Sequence, residues 1–182
     1  LGWELYPPSE YGTALWDALW AAGAEHGLVA GGYRAIDALR LEKGYRVWSS
    51  DITPDETPYE AGLGFAVRLD RADGTPRAFI GRDALVAARS AGPRKRLRCL
   101  VLDDPRSVCL GNEPVRIGAA IVGRVTSGGY GFAVERSIAY AYLPTDQAAI
   151  GGRGQIEVFG RWIDFEVMAE PLFDPAGERI RA

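Results

Sequence analysis

The feature that most constrains this chain is a change of texture at Ala91-Gly92-Pro93. Before it, apolar residues recur at helical spacing. After it, short apolar runs are cut apart by glycine, proline and asparagine clusters. The runs fall at residues 97–102, 115–117, 120–126, 138–143, 155–158 and 162–169. Six short strands at this spacing predict an antiparallel barrel or jelly-roll-like sandwich with almost no helix. Glu157 to Ile163 reads as a hairpin turning over Gly160. The boundary residues place a first domain at 1–92 and a second at 93–182.

The first domain alternates between helix and strand patterns. Residues 2–6 alternate as a strand and stop at Pro7-Pro8. Ser9 reads as a helix N-cap, and Ala14, Leu15, Ala18, Leu19 and Ala22 then follow helical spacing, with Trp16 and Trp20 one turn apart. Gly27 closes that region. A second helix carries Ile36, Leu39, Arg40 and Lys43 and ends at Gly44. Asp37 lies three residues before Arg40 and can pair with it. A polar loop with two prolines follows, then the glycine corner Ala61-Gly62-Leu63-Gly64-Phe65. Residues 63–69 alternate again, residues 72–75 are a turn signal, and a third helix opens near Phe79 and runs to about Ser90. The expected class is α+β: an antiparallel sheet with flanking helices, then an all-β barrel or jelly-roll-like domain.

Composition narrows the function classes. A net charge of −3 gives no broad basic field, so a nucleic-acid partner is not expected. The one dense basic run, Arg94-Lys95-Arg96 with Arg98, reads as a solvated linker or strand edge, or as a contact for a polyglutamate tail or acidic partner. Two cysteines make neither a disulfide framework nor a metal set, and Cys99 sits in an apolar run as a small buried residue. His26, the single histidine, precedes Gly27 at a helix C-terminus, where the dipole favours a cation. No metal site is expected. No apolar run approaches the ~20 residues of a membrane helix, and no signal peptide opens the chain, so a cytoplasmic protein is expected. The chain opens without Met inside a strand pattern, which suggests a processed or truncated product.

One stretch carries a family resemblance: Arg40-Leu41-Glu42-Lys43-Gly44-Tyr45-Arg46, Asp51-Ile52, and Pro58-Tyr59-Glu60-Ala61-Gly62-Leu63-Gly64-Phe65. It resembles the core signature of the folate-binding aminomethyltransferases, which include the glycine cleavage T-protein and the folate-binding halves of dimethylglycine and sarcosine dehydrogenases. Lys43-Gly44-Tyr45-Arg46 with Trp48, and Ile36 where the T-protein branch has arginine, resemble the dehydrogenase type. In that family the signature lies past the middle of the folate domain. The resemblance therefore implies the C-terminal half of such a domain, whose catalytic aspartate lies upstream and matches no position here.

The implied function is tetrahydrofolate-dependent one-carbon transfer, with tetrahydrofolate as cofactor and any FAD held by a separate domain or subunit. The alternatives are a non-catalytic folate-binding module, an accessory protein, or a subunit completing another chain's site. An upstream folate-domain half or partner subunit is implied, and a homo-oligomer is an open expectation. Leu1-Gly2-Trp3-Glu4-Leu5-Tyr6 resembles the end of the family's pterin-binding strand. Glu4 then falls on the pterin-binding carboxylate, which can accept from a ring N–H and an exocyclic amine together. Tyr6 points the same way two residues on and either walls the pocket or packs in the core. Phe65 matches the aromatic placed against the folate, with core packing as its alternative. Asp51 receives no catalytic role. The run from Val125 to Gly131 reads as a glycine-rich loop but lacks the following helix and lysine of a phosphate cradle.

Overall fold

The computed structural model describes residues 2–181. Six strands close into an antiparallel barrel in the order β1-β4-β3-β2-β5-β6. They are β1 (Lys95–Leu102), β2 (Pro114–Ile117), β3 (Ala120–Gly131), β4 (Arg136–Pro144), β5 (Arg153–Val158) and β6 (Arg161–Met168). Pairing of Leu100 with Val167 and Leu102 with Phe165 joins the last strand to the first and removes the sheet's free edges. The β5–β6 hairpin turns at Phe159 and Gly160, both at positive φ (48° and 79°), the two-residue geometry whose twist matches the flanking strands.

β4 explains how the barrel joins the rest of the chain. Residues Ser137 to Leu143 are all buried. Side chains on a strand alternate faces, so such a run must be covered on both. Ala139, Ala141 and Leu143 point into the barrel core with Leu100, Val115, Val125, Ile156, Phe165 and Val167. Ile138, Tyr140 and Tyr142 point outward into a second core with Leu97, Cys99 and Leu41.

Leu41 belongs to α2 (Tyr33–Lys43), which lies across β3 and β4. The glycine-rich run is part of strand β3 rather than a loop, and its glycines make this approach possible. A Cβ on Gly129 would lie 2.8 Å from Leu41 Cδ1, and one on Gly128 would lie 2.6 Å from Cys109 Cβ. The remaining helices are α1 (Gly12–Gly23), α3 (Arg82–Ala91) and a terminal turn, α4 (Glu178–Arg181). α3 starts later than its sequence pattern because Gly81 sits at φ 88°, outside the helical region.

The α+β class holds, as helices plus an antiparallel barrel. The antiparallel sheet expected in the first half is not formed among the described residues. Residues 2–6 have no ladder partner, and Gly64–Ala66 is a 3-10 turn where a strand was expected. Among the described residues, the only pairings before the barrel are the isolated bridges Trp48 to Ile52 and Asp70 to Pro76. Alternation specifies a strand only where another segment supplies hydrogen bonds. The same region presents its aromatic side chains to solvent: α1 buries no residue, and Trp3, Tyr6, Trp16, Trp20 and Tyr33 are all exposed.

Candidate functional site

The site is built around the C-terminal end of α2. Gly44 caps the helix at φ 73°, and the N–H groups of Gly44 and Tyr45 bond back to Leu41 O and Arg40 O. The chain then arches over the barrel to Asp51, which is 2% exposed. Its carboxylate accepts from Arg40 Nη1 at 2.7 Å, Val47 N at 3.0 Å, and the Thr126 and Ser127 hydroxyls at 2.6 Å each. Tyr142 Oη donates to Asp51 O at 2.8 Å. Arg40 also donates to Asp37 at 2.7 Å, the pairing that their spacing predicts. Asp51 therefore ties helix, arch and barrel together.

A second buried carboxylate, Glu42, accepts from Ala133 N at 2.7 Å at the β3–β4 turn. The main-chain oxygen of Glu42 accepts from Leu172 N and Phe173 N at 3.1 and 3.0 Å. Lys43 Nζ donates to Asp174 O at 2.7 Å and to Asp174 Oδ2 at 2.9 Å. Residues 170–174 thus form a strap that leaves the barrel and closes on the end of α2.

Two clefts flank this latch and share Lys43 and Tyr45, so they adjoin. One, of about 620 Å³, is lined by Gly44, Arg46, Ile52, Leu63, Phe65 and Glu170 among others. The other, of about 430 Å³, is lined by Ile36, Leu39, Phe173 and Arg179 among others and is mostly apolar. Arg46 lines the first. Its guanidinium donates to Gly44 O, to Ala61 O at 3.1 Å and to the Glu170 carboxylate.

Phe65 stands on the 3-10 turn Gly64–Ala66 at the edge of the larger cleft and is 83% exposed. Phe65 belongs to neither apolar core of the described residues. Glu4 and Tyr6 project from the unpaired segment and are exposed. The Tyr6 hydroxyl donates to a Glu4 carboxylate oxygen, as expected for residues two apart on one side of an extended chain. That bond, with slight desolvation, raises the Tyr6 pKa above its ordinary value. Neither Glu4 nor Tyr6 is among the residues lining either cleft. Leu1, the head of the matched segment, lies outside the described residues.

Sequence reasoning missed Glu170, Asp174 and the structural weight of Asp51 and Glu42. The strap follows the barrel by position alone, and no local pattern links residue 170 to residue 46. Cys99 is fully buried as expected, and desolvation pushes its thiol up to about 12. Lys95 of the basic run bonds Glu56 at 2.8 Å, and Arg98 Nε donates to Ala148 O at 2.6 Å. Among the described residues no group of three metal-ligating side chains converges, and no helix is long and apolar enough to cross a membrane.

Comparison with known proteins agrees with this arrangement. Residues 1–71 match the GCVT N-terminal domain, and residues 95–174 match the glycine cleavage T-protein C-terminal barrel domain. Human mitochondrial sarcosine dehydrogenase is 44% identical over the whole chain, which covers 20% of that relative. The formaldehyde-forming 4-methylaminobutanoate oxidase of Paenarthrobacter nicotinovorans is 40% identical, again over the whole chain and 21% of the relative. The crystal structure of the glycine cleavage system aminomethyltransferase T from Bartonella henselae superposes with a TM-score of 0.81 at 28% identity, over 92% of this chain and 45% of that one. The chain thus spans about a fifth of the length of these curated relatives. Two successive domain matches, a shared barrel and the α2 signature lead to one conclusion: the chain belongs to the glycine cleavage T-protein family.

Proposed function

We propose that the chain is the C-terminal part of a tetrahydrofolate-dependent one-carbon transfer protein of the dimethylglycine and sarcosine dehydrogenase type. The observation that carries this reading is Phe65, a large ring left 83% exposed at the edge of a 620 Å³ cleft. The turn that bears it is itself at the surface, with Ala66 exposed and Gly64 half-buried, and it is anchored by buried Ala61 and Leu69 on either side. A flat heterocycle against that ring would gain offset stacking of about 0.5–1.5 kcal/mol beyond burial. The clefts have the size of small-molecule sites, which run to roughly 300–1,000 Å³.

The polar side chains at residues 4 and 6 suit a reduced pterin once the upstream half of the domain brings this segment to the Phe65 face. Glu4 uses one oxygen for the Tyr6 hydroxyl and retains acceptor capacity for adjacent N–H groups. In this reading Glu4 orients the ring, Tyr6 holds the carboxylate and Phe65 provides a stacking face. Bound tetrahydrofolate would supply the amine nucleophiles that capture a one-carbon unit. The chain's own part is to bind and orient it. An upstream half of the folate domain completes the site and covers the aromatic surface of α1, with a domain boundary at residues 92–93. FAD, where present, is held by another domain. We place the protein in the cytoplasm and expect homo-oligomers when that aromatic surface is uncovered.

The test is calorimetric titration of the full-length protein with a reduced folate, wild type against Glu4→Gln. Replacing one acceptor oxygen by an amide should cost about 1.5–3 kcal/mol, roughly ten- to a hundredfold in affinity. Equal affinities at unchanged melting temperature would remove Glu4 from the site.

A further inference from the structure

Arg46 and Glu170 are separated by 124 positions, yet they form one ion pair with side chains only 10% and 23% exposed. Burying such a pair is costly and adds little stability by itself. What Arg46 does with its other bonds is more telling. Its Nε–H holds Ala61 O at 3.1 Å, and its Nη2 lies 3.0 Å from where a Cβ on Gly62 would stand. Gly62 is at φ 73°, so the corner that leads into the Gly64–Ala66 turn is set with the guanidinium against it. Tyr59 packs on the far side of the same corner, with its ring 3.1 Å from the Cβ position of Gly64. The opposite end of the fork donates to the main-chain oxygen of Gly44, the cap of α2.

Glu170 fixes the direction of the fork. One of its oxygens accepts from Arg46, while the other is buried without a partner, close to the Cβ position of Gly44 at 3.3 Å. A carboxylate that leaves an oxygen unbonded in a buried position is a poor choice for stability alone. Its placement at the start of the strap links the barrel to the corner that presents Phe65.

We propose that Glu170 is a positioning residue for the Phe65 face of the cleft, acting through Arg46. The ligand part of this inference rests on the folate reading above. The corner itself does not, so the two can fail separately.

The experiment compares wild type, Glu170→Gln, Arg46→Lys, Phe65→Ala and the double variant Phe65→Ala with Glu170→Gln, all in the full-length protein. Hydrogen exchange is read first, at the amides of Ala61, Leu63, Ala66 and Val67, which all donate to main-chain oxygens within the corner. Glu170→Gln keeps the size of the side chain and removes the charge. Arg46→Lys keeps the charge and removes the fork. Both should speed exchange at these amides about tenfold and leave the β1 amides of Leu100 and Leu102, paired inside the barrel, unchanged. Affinity for a reduced folate is read second. Glu170→Gln should weaken it about as much as Phe65→Ala, and the double variant should be no weaker than Phe65→Ala alone, because both changes remove one face.

Unchanged exchange at the corner in either single variant overturns the proposal. Uniform acceleration that includes β1 overturns it in favour of a purely structural pair. Additive losses of affinity also overturn it. If the wild type binds no folate, the folate reading falls, and the exchange result alone decides whether Glu170 positions the corner.

Discussion

Replacing Asp51 with Asn tests how the arch over the barrel is held. The two side chains have nearly the same volume, so the change leaves packing alone and acts on hydrogen bonds and charge. An amide can still accept from the Thr126 and Ser127 hydroxyls through its oxygen, but its NH2 must then face Arg40 Nη1 and Val47 N, both donors. Arg40, whose side chain is 12% exposed, loses the better of its two carboxylates and keeps Asp37, which is 45% exposed. Breaking a buried pair costs about 3–5 kcal/mol, and the surviving Asp37 contact puts this change near the lower end, about 3 kcal/mol. Asp37→Asn removes the more exposed partner and should cost under about 1 kcal/mol. Urea unfolding with an unchanged m-value measures both. A loss below about 1 kcal/mol for Asp51→Asn would mean that Asp51 is not the tie its geometry describes.

Other expectations follow from burial and close approach. Gly128→Ala should destabilise by about 1–3 kcal/mol in thermal unfolding, because the new methyl meets Cys109 Cβ at 2.6 Å and its main-chain oxygen at 2.8 Å. Gly129→Ala should cost less, since the atom it meets is a terminal methyl of Leu41 that can turn aside. Desolvation raises the thiols of Cys99 and Cys109 from an ordinary 9.0 to about 12. Neither should react with a thiol reagent at pH 8 until denaturant is added, and labelling of the native protein would contradict this. Because the folded values are raised, the stability they contribute is complete below pH 9 and is lost as pH rises toward 12, visible as a falling urea midpoint. The chain by itself should self-associate through α1, where Trp16 and Trp20 stack at 5.6 Å on an unburied face. A concentration-independent monomer in sedimentation would count against that.

The barrel was legible because each of its strands carries its own pattern and turn residues, down to the Phe159-Gly160 hairpin. α2 was legible through its spacing and its glycine cap, and so was the pairing of Asp37 with Arg40. The strand expected at residues 2–6 was not formed, because alternation describes a side-chain pattern while a strand needs a neighbour. The β3 glycines were misread as a loop, since a sequence does not tell glycine needed for positive φ from glycine needed for close approach of a helix. Phe65 was located as a site candidate through resemblance, but its exposure came only from the structure. The latch at Glu170 and Asp174 was illegible for a simpler reason: its partners are brought together by the closing of the barrel.

That latch bears on how the chain acquires its shape. Lys43 waits for Asp174, a separation of 131 positions, and Arg46 waits for Glu170. During synthesis α2 emerges before the barrel, and the residues that fasten its end arrive after all six strands have been made. Contacts of such long range form late and slowly. The Arg46–Glu170 contact at the corner bearing Phe65 can form only once the strap has been made, whatever the order in which the strands assemble. A nascent or clipped chain could complete the barrel and still lack a finished cleft, which would keep an immature product from engaging its ligand.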